Sequence, residues 1–278
     1  MDCAPCGGGS NGGPGARFAT APPVSGVAIN RSFYDALWSA SRLVPPHRFN
    51  TWPLLSVLAD GTSARLEIGA GLRPRLPIDG TYFVDVSQAA LVPLRGSGGF
   101  ATHANAAALP FPDCAFEMVC AFDVVEHVDE DGKVLREIAR VTKDDAVVVL
   151  SMPLHPSQWS AFDVLVGHVR RYEPDNLATV LREHSLVIER SAAFGMQPRS
   201  RWLLDLAVWG LTRRRDAAMR WYNRVLLPLG LLTQKRLEWA AGLVCGARVD
   251  ELVLVCRRMR RAPVHGSAGP DDAVEDRA

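Results

Sequence analysis

Four short runs in this chain carry side chains whose types and spacing suit a small bound molecule. Leu66-Glu67-Ile68-Gly69-Ala70-Gly71 joins an apolar stretch to an acid and two glycines one residue apart. Glycine there lets a ligand touch backbone, because no Cβ intervenes, although a lone pair of this kind also occurs in many tight turns. Tyr82-Phe83-Val84-Asp85-Val86 ends a second apolar stretch in a carboxylate, where a dinucleotide-type fold sets an acid to accept both ribose hydroxyls. Asn105-Ala106, ahead of Ala108-Leu109-Pro110-Phe111-Pro112-Asp113, puts an amide and a small residue where an adenine ring and its amino group would lie. An ordinary turn before a buried Phe is the plainer alternative. Phe122-Asp123-Val124-Val125-Glu126-His127-Val128 sets Asp, Glu and His within five positions at an expected strand end, where open α/β sheets build ligand sites.

A fifth region is a long loop, His155 through Tyr172, rich in His, Trp, Arg and Tyr. Long loops in compact domains are commonly functional. His127, His155, His168 and Tyr172 are the candidate catalytic groups, as bases or as groups that orient an acceptor. Two structural alternatives stand beside that reading. His168, Arg170 and Arg171 would pair with carboxylates such as Asp163 to hold the loop shut, and His127 would cap the helix that follows it.

Elements must bring these runs together. From Ala64 onward short apolar runs alternate with helical stretches, the pattern of strands joined by crossovers in a mostly parallel sheet. Strands are expected at 64–68, 81–84, 100–103, 118–122, 146–151, 186–192 and 249–256, with helices at 87–94, 129–141 and 174–184. Ahead of them, helices are expected at 32–43, stopped by Pro45-Pro46, and at 53–59. The fold class is thus α/β: a doubly wound, mostly parallel, seven-stranded sheet of the Rossmann-like kind, with a helical insertion before the last strand. The division reads as a disordered Gly/Pro/Ser-rich tail at 1–28, N-terminal helices at 29–61, an α/β core at 62–194, the insertion at 195–247, the final strand at 248–260 and a disordered tail at 261–278. The insertion carries Trp202, Trp209, Trp221 and Trp239 with Arg213, Arg214 and Arg215. Most such aromatics pack; otherwise the segment is a lid for a hydrophobic acceptor, a basic amphipathic surface touching membrane, or a dimer surface.

Composition narrows the classes. The 31 basic and 30 acidic side chains leave a formal charge of +1, so no overall field draws in nucleic acid. Six scattered cysteines with no secretory signal before them predict reduced thiols in a cytoplasmic protein. Cys3 and Cys6 form a CxxC without the second ligand pair that a structural zinc site needs, and no metal ligands are assigned. The longest apolar stretches fall well short of the roughly 20 residues that cross a bilayer.

The order of the four runs over residues 64–194 resembles the class I S-adenosylmethionine-dependent methyltransferases, particularly the branch that modifies small molecules. The resemblance implies S-adenosylmethionine as cofactor and a small-molecule acceptor as partner. Residues matching Glu67, Gly69, Ala70 and Gly71 would surround the methionine part, those matching Asp85 and Val86 the ribose, and those matching Asn105 and Ala106 the adenine, with Phe122 and Asp123 closing the pocket. Asp163 with Gly167-His168-Val169-Arg170-Arg171-Tyr172 resembles a feature of a subset of that family. This chain departs in two places. Only 72–80 separate the glycine loop from the next strand, and Pro74 and Pro77 preclude the family's helix there, which leaves Arg73 or Arg75 to supply charge. The adenine-site Asn105 stands where Asp is usual, and an amide can still bond adenine. A nicotinamide oxidoreductase would need a third glycine opening a long helix. A noncatalytic scaffold or membrane-associated partner of the same fold is the other alternative, against which the retained Glu67, Gly69, Gly71 and Asp85 speak.

Overall fold

Apolar runs of four to six residues rich in Val, Leu and Ile cannot stay in water and are too short to form buried helices, so they pair as strands. In the computed structural model these are β1 (Arg65–Ile68), β2 (Thr81–Asp85), β3 (Phe100–His103), β4 (Phe116–Ala121), β5 (Thr142–Pro153), β6 (Leu186–Phe194), β7 (Ala240–Ala241) and β8 (Glu251–Arg258). The structure describes residues 34–35, 37–39, 41–195, 201–244, 246 and 249–260. The tails expected at 1–28 and 261–278 lie outside the described residues.

The strands form one sheet in the order β3-β2-β1-β4-β5-β8-β6-β7. β3 through β5 pair in parallel, and β8 enters antiparallel between β5 and β6. The order reverses between β1 and β4, and open α/β sheets bind ligands at the carboxyl ends of the strands beside such a switch. Helices α2 (Gln88–Arg95), α3 (Asp131–Val141) and α5 (Pro174–Glu183) make the crossovers. Val134, Leu135 and Ile138 of α3 join Leu177 and Leu181 of α5 in a core with the sheet. Leu55 and Ala59 of α1 (Trp52–Ala59) form a separate core with Met118, Cys120, Val149 and Val253, because alternate strand residues point to opposite sheet faces.

Two differences from the expected elements stand out. The helix expected over 32–43 is helical at 34–35 and 37–39, and the chain from 41 to 45 is not helical, since the residue before a proline avoids the helical region and Pro45 follows closely. Among the described residues the insertion contains three helices, α6 (Arg201–Arg213), α7 (Arg215–Trp221) and α8 (Leu227–Thr233), with a π-helical turn at Tyr222–Leu226. The sheet has an eighth strand, the two-residue β7 on the β6 edge. It is fixed by Ser191, whose hydroxyl donates to the Gly242 carbonyl and accepts from the Val244 amide, both at 2.8 Å.

Candidate functional site

β1 ends at Ile68 and leads into Gly69, whose φ of +67° suits glycine. A Cβ there would lie 2.5 Å from Val124 Cγ2, so the glycine is also what lets the β1 and β4 ends approach. Gly71 has φ +55°, and its Cβ would lie 2.1 Å from Trp38 Cζ2. Its N–H donates to Asp85 Oδ2 at 3.0 Å while the Ser87 N–H donates to Oδ1 at 2.8 Å.

Between the glycines and β2 no helix forms, as Pro74 and Pro77 require. The loop instead turns its amides inward. Arg75 N–H lies 2.8 and 3.0 Å from the two Glu67 oxygens, and Leu76 N–H donates at 2.9 Å. Burial raises the Glu67 carboxyl to about 7, against the pull of these N–H groups and of Arg75. The Arg75 guanidinium sits 3.8 Å over the Phe49 ring and also faces Phe122 and Phe194. Arg73 lies between Trp38 and Tyr222, 5.2 and 5.1 Å from their ring centres. Its Nε and Nη2 are buried with no hydrogen-bond partner.

The β4 end is built differently. Asp123, at φ +55°, donates its N–H to Ser151 Oγ at 2.8 Å and accepts that hydroxyl at 2.7 Å. It also pairs with Glu251 at the start of β8: burial and the Asp123 charge push Glu251 well up, so Glu251 carries the proton and Asp123 the charge. A 3-10 turn, Val125–His127, follows. His127 bonds the Gly167 carbonyl through Nδ1 at 3.1 Å and the Tyr34 hydroxyl through Nε2 at 3.3 Å. Its desolvation and the neighbouring His168 lower it to about 4.

α4 (Ala161–Val166) carries the partner side of this bank. Ser160 and Asp163 form a capping box at its start. Asp163, fully buried, accepts from His168 Nδ1 at 2.9 Å and from Arg171 at 2.8 and 3.2 Å. Arg171 continues to the Leu154 carbonyl at 3.1 Å and to Asp250 at 2.6 Å, while Arg170 pairs with Asp131 at 2.6 Å. The charges of this loop therefore do hold it shut. His168 does so through Nδ1 alone, and its Nε2 stands 3.9 Å from Glu126 Oε1. Glu126 is 1% exposed, and its Oε2 has no hydrogen-bond partner.

Between these two banks and α6–α8 runs a cavity of about 980 Å³. Of the residues expected to bind the cofactor, Glu67, Gly69, Ala70, Asp85, Val86, Asn105, Ala106, Phe122 and Asp123 line it; Gly71 faces Trp38 instead. His127 and His168 line it as well. His127 does not cap α3, whose N-cap position is Glu130. His155 and Tyr172 are placed elsewhere. The left-handed backbone of His155 aims its ring at the Gly246 carbonyl, 3.3 Å away. Tyr172 is drawn into the core by its strand-like pairing with Leu154, and its hydroxyl donates to Asp131 at 3.0 Å. Tyr34, Arg73 and Glu251 are the lining groups that carry chemistry beyond those expected. Arg73 was legible as a charge beside the prolines. Glu251 had only the faint signal of an acid opening an apolar run, and nothing near Tyr34 marked it. Cys114, Cys120 and Cys256 are free thiols, and no helix among the described residues is long and apolar enough to cross a membrane.

Comparison with known proteins agrees with this architecture. A family model described as a methyltransferase domain matches residues 76–150. Probable S-adenosylmethionine-dependent methyltransferases from two strains of Mycobacterium tuberculosis, CDC 1551 / Oshkosh and H37Rv, are 30% identical over 87 residues, or 31% of this chain. The matched stretch spans 32% of the length of those relatives. Among solved structures, a phosphoethanolamine N-methyltransferase of Haemonchus contortus, in complex with phosphomonomethylethanolamine and S-adenosylhomocysteine, superposes with a TM-score of 0.51 at 15% identity, covering 86% of this chain and 61% of that one. A methyltransferase fold from Galdieria sulphuraria superposes with a TM-score of 0.52 at 13% identity, covering 83% and 98%. Residues 76–150 are thus similar to a methyltransferase domain, within a sheet fold on which the two methyltransferase structures superpose.

Proposed function

We propose that this protein transfers the methyl group of S-adenosylmethionine to a small-molecule acceptor with an apolar body. The observation that carries the reading is the division of the cavity. One half is walled by the ends of β1, β2 and β4, with Asp85, Asn105 and Asp123. The other half is walled by Phe162, Leu211, Met219, Trp221, Leu227 and Leu229. A volume of about 980 Å³ lies at the upper end of the roughly 300–1,000 Å³ that ligand pockets span.

The residues present fit the cofactor. Each Asp85 oxygen accepts one backbone N–H and keeps a further lone pair for a ribose hydroxyl. The unpartnered Nε and Nη2 of Arg73 are buried donors that suit the cofactor's carboxylate, replacing the helix N-terminus that the prolines forbid. Asn105 keeps its amide N–H₂ for the adenine, its oxygen being held by the Ala107 N–H at 2.9 Å. When bound, the cofactor supplies a methyl group on a sulfonium, ready for displacement. The protein's work is then alignment and exclusion of water. Phe162, Leu211 and Met219 hold an apolar acceptor, and His127 and His168 orient its polar end or receive its proton.

Calorimetric titration of the full chain with S-adenosylhomocysteine, and separately with NADH, tests this. Micromolar binding of the former, weakened in Asp85→Ala, with none of the latter, is expected. Failure to bind S-adenosylhomocysteine would leave a noncatalytic scaffold as the reading.

A further inference from the structure

We propose that Glu126, His127 and His168 form a binding site for a divalent first-row transition cation, facing the acceptor half of the cavity. One ligand atom from each lies within 4.8 Å of the others. Two histidines and one carboxylate on one side, with the remaining positions open, is a donor set that such cations use.

Three independent features point to an ion rather than to a closed polar cluster. The first is the histidine tautomers. A carbonyl only accepts, so the His127 Nδ1 that meets the Gly167 oxygen at 3.1 Å carries the ring proton and leaves Nε2 with its lone pair. His168 Nδ1 likewise donates to Asp163 Oδ1 at 2.9 Å, leaving its Nε2 free on the Glu126 side. Ligating histidines are held in this manner, by a carbonyl or carboxylate on the far nitrogen. The second is Glu126 itself, 1% exposed, with Oε2 lacking any partner. A buried carboxylate oxygen without a donor is costly unless something else satisfies it. The third is backbone: the Val169 N–H donates to the Glu126 carbonyl at 2.9 Å, pinning two segments 43 residues apart beside each other at this point. The two imidazole rings meet edge to face, 4.7 Å between centres, so modest side-chain rotations bring both Nε2 atoms and the carboxylate to one centre. The present contact of Tyr34 hydroxyl with His127 Nε2, at 3.3 Å, is long and would yield to the ion.

The role assigned to this ion rests on the methyltransferase reading. Its open positions would face the cavity, where an acceptor oxygen would coordinate and be oriented. The acceptor would then be a hydroxylated molecule, and its polar end would be the end that enters beside β4.

The test is Mn²⁺ titration of the full chain, followed by loss of the free-ion electron paramagnetic resonance signal. Mn²⁺ is chosen because it disfavours thiolates, which keeps the Cys3-Cys6 pair out of the measurement. One site is expected in the wild type, with affinity reduced at least tenfold in both Glu126→Gln and His127→Gln. S-adenosylhomocysteine affinity should change less than threefold in each variant. No wild-type binding, or equal binding in variants whose circular dichroism matches the wild type, would overturn the proposal. Mn²⁺ binding without S-adenosylhomocysteine binding would sink the methyltransferase reading while leaving the ion site standing.

Discussion

The two polar banks of the cavity use their charges in opposite ways. On the glycine-loop bank, Glu67 and Asp85 are each already met by backbone N–H groups, so the loop is held in place before any ligand arrives. On the β4 bank, Asp163 and Arg171 are satisfied, while Glu126 in front of them keeps an orphan oxygen, His168 Nε2 stands 3.9 Å from Glu126, and His127 Nε2 meets the Tyr34 hydroxyl at 3.3 Å. A carboxylate with several donors fixes structure, and a buried group lacking one awaits a partner. The difference separates carboxylates whose donors are already in place from one that still lacks a donor, although all are buried and close together.

The comparison can be broken most severely at Asp163. Asp163→Asn strips a buried charge from Arg171 and His168, and losing one member of a buried pair costs about 3–5 kcal/mol. Thermal unfolding should show a midpoint lower by roughly 10 °C, given about 2–4 °C per kcal/mol for a chain of this size. An unchanged midpoint would mean that the network holds without its centre.

Glu67 supplies a test by pH. Its folded-state pKa, about 7, is raised above the unfolded value, so its contribution is fully present below the unfolded pKa near 4.5 and is lost as pH rises through 7. Chemical denaturation should therefore show stability declining between pH 4.5 and 7 by up to about 3 kcal/mol. Glu67→Gln should flatten that stretch. A wild-type profile already flat there would place the carboxylate's donors ahead of its burial.

Gly69→Ala tests the contact between the banks. Its positive φ and the 2.5 Å approach to Val124 predict a loss of about 2 kcal/mol. Part of it should return in the double variant with Val124→Ala, read by urea denaturation. Additive losses would show that backbone strain, not the approach of the banks, is what the glycine relieves.

The smallest effect is expected on the outer face of the insertion. Leu232 is largely exposed and does not line the cavity; Arg220 and Arg224 are exposed as well. Leu232→Ser should shift stability by less than about 0.5 kcal/mol. If the face meets a membrane, the same change should halve sedimentation with anionic phosphatidylserine vesicles. Equal sedimentation would leave Leu232 without a membrane role.

Much of this was legible from the residues because strands advertise themselves. Leu66-Glu67-Ile68 and Val147-Val148-Val149 are apolar runs bounded by breakers, and the parallel core followed from them. The two-residue β7 was not legible, since Ala240-Ala241 has no pattern and pairs only because Ser191 on the β6 edge holds the chain after it. Within the loop after β5, residue type named the candidates but not their direction. His168 points into the cavity, whereas Tyr172, four residues on, is turned into the core by its pairing with Leu154. Tyr34 and Glu251 reach the site from distant elements, and no local spacing carries that information.

The position of β8 sets an order of events. Asp250 ties down Arg171 and Glu251 shares its proton with Asp123, and both stand at the opening of a strand that must slide between two strands made long before it. A ribosome that has made the glycine-loop bank and the insertion has still not placed Asp250 and Glu251. The β4 bank is completed only with the closing strand, and a chain that stalls short of it holds an open sheet edge.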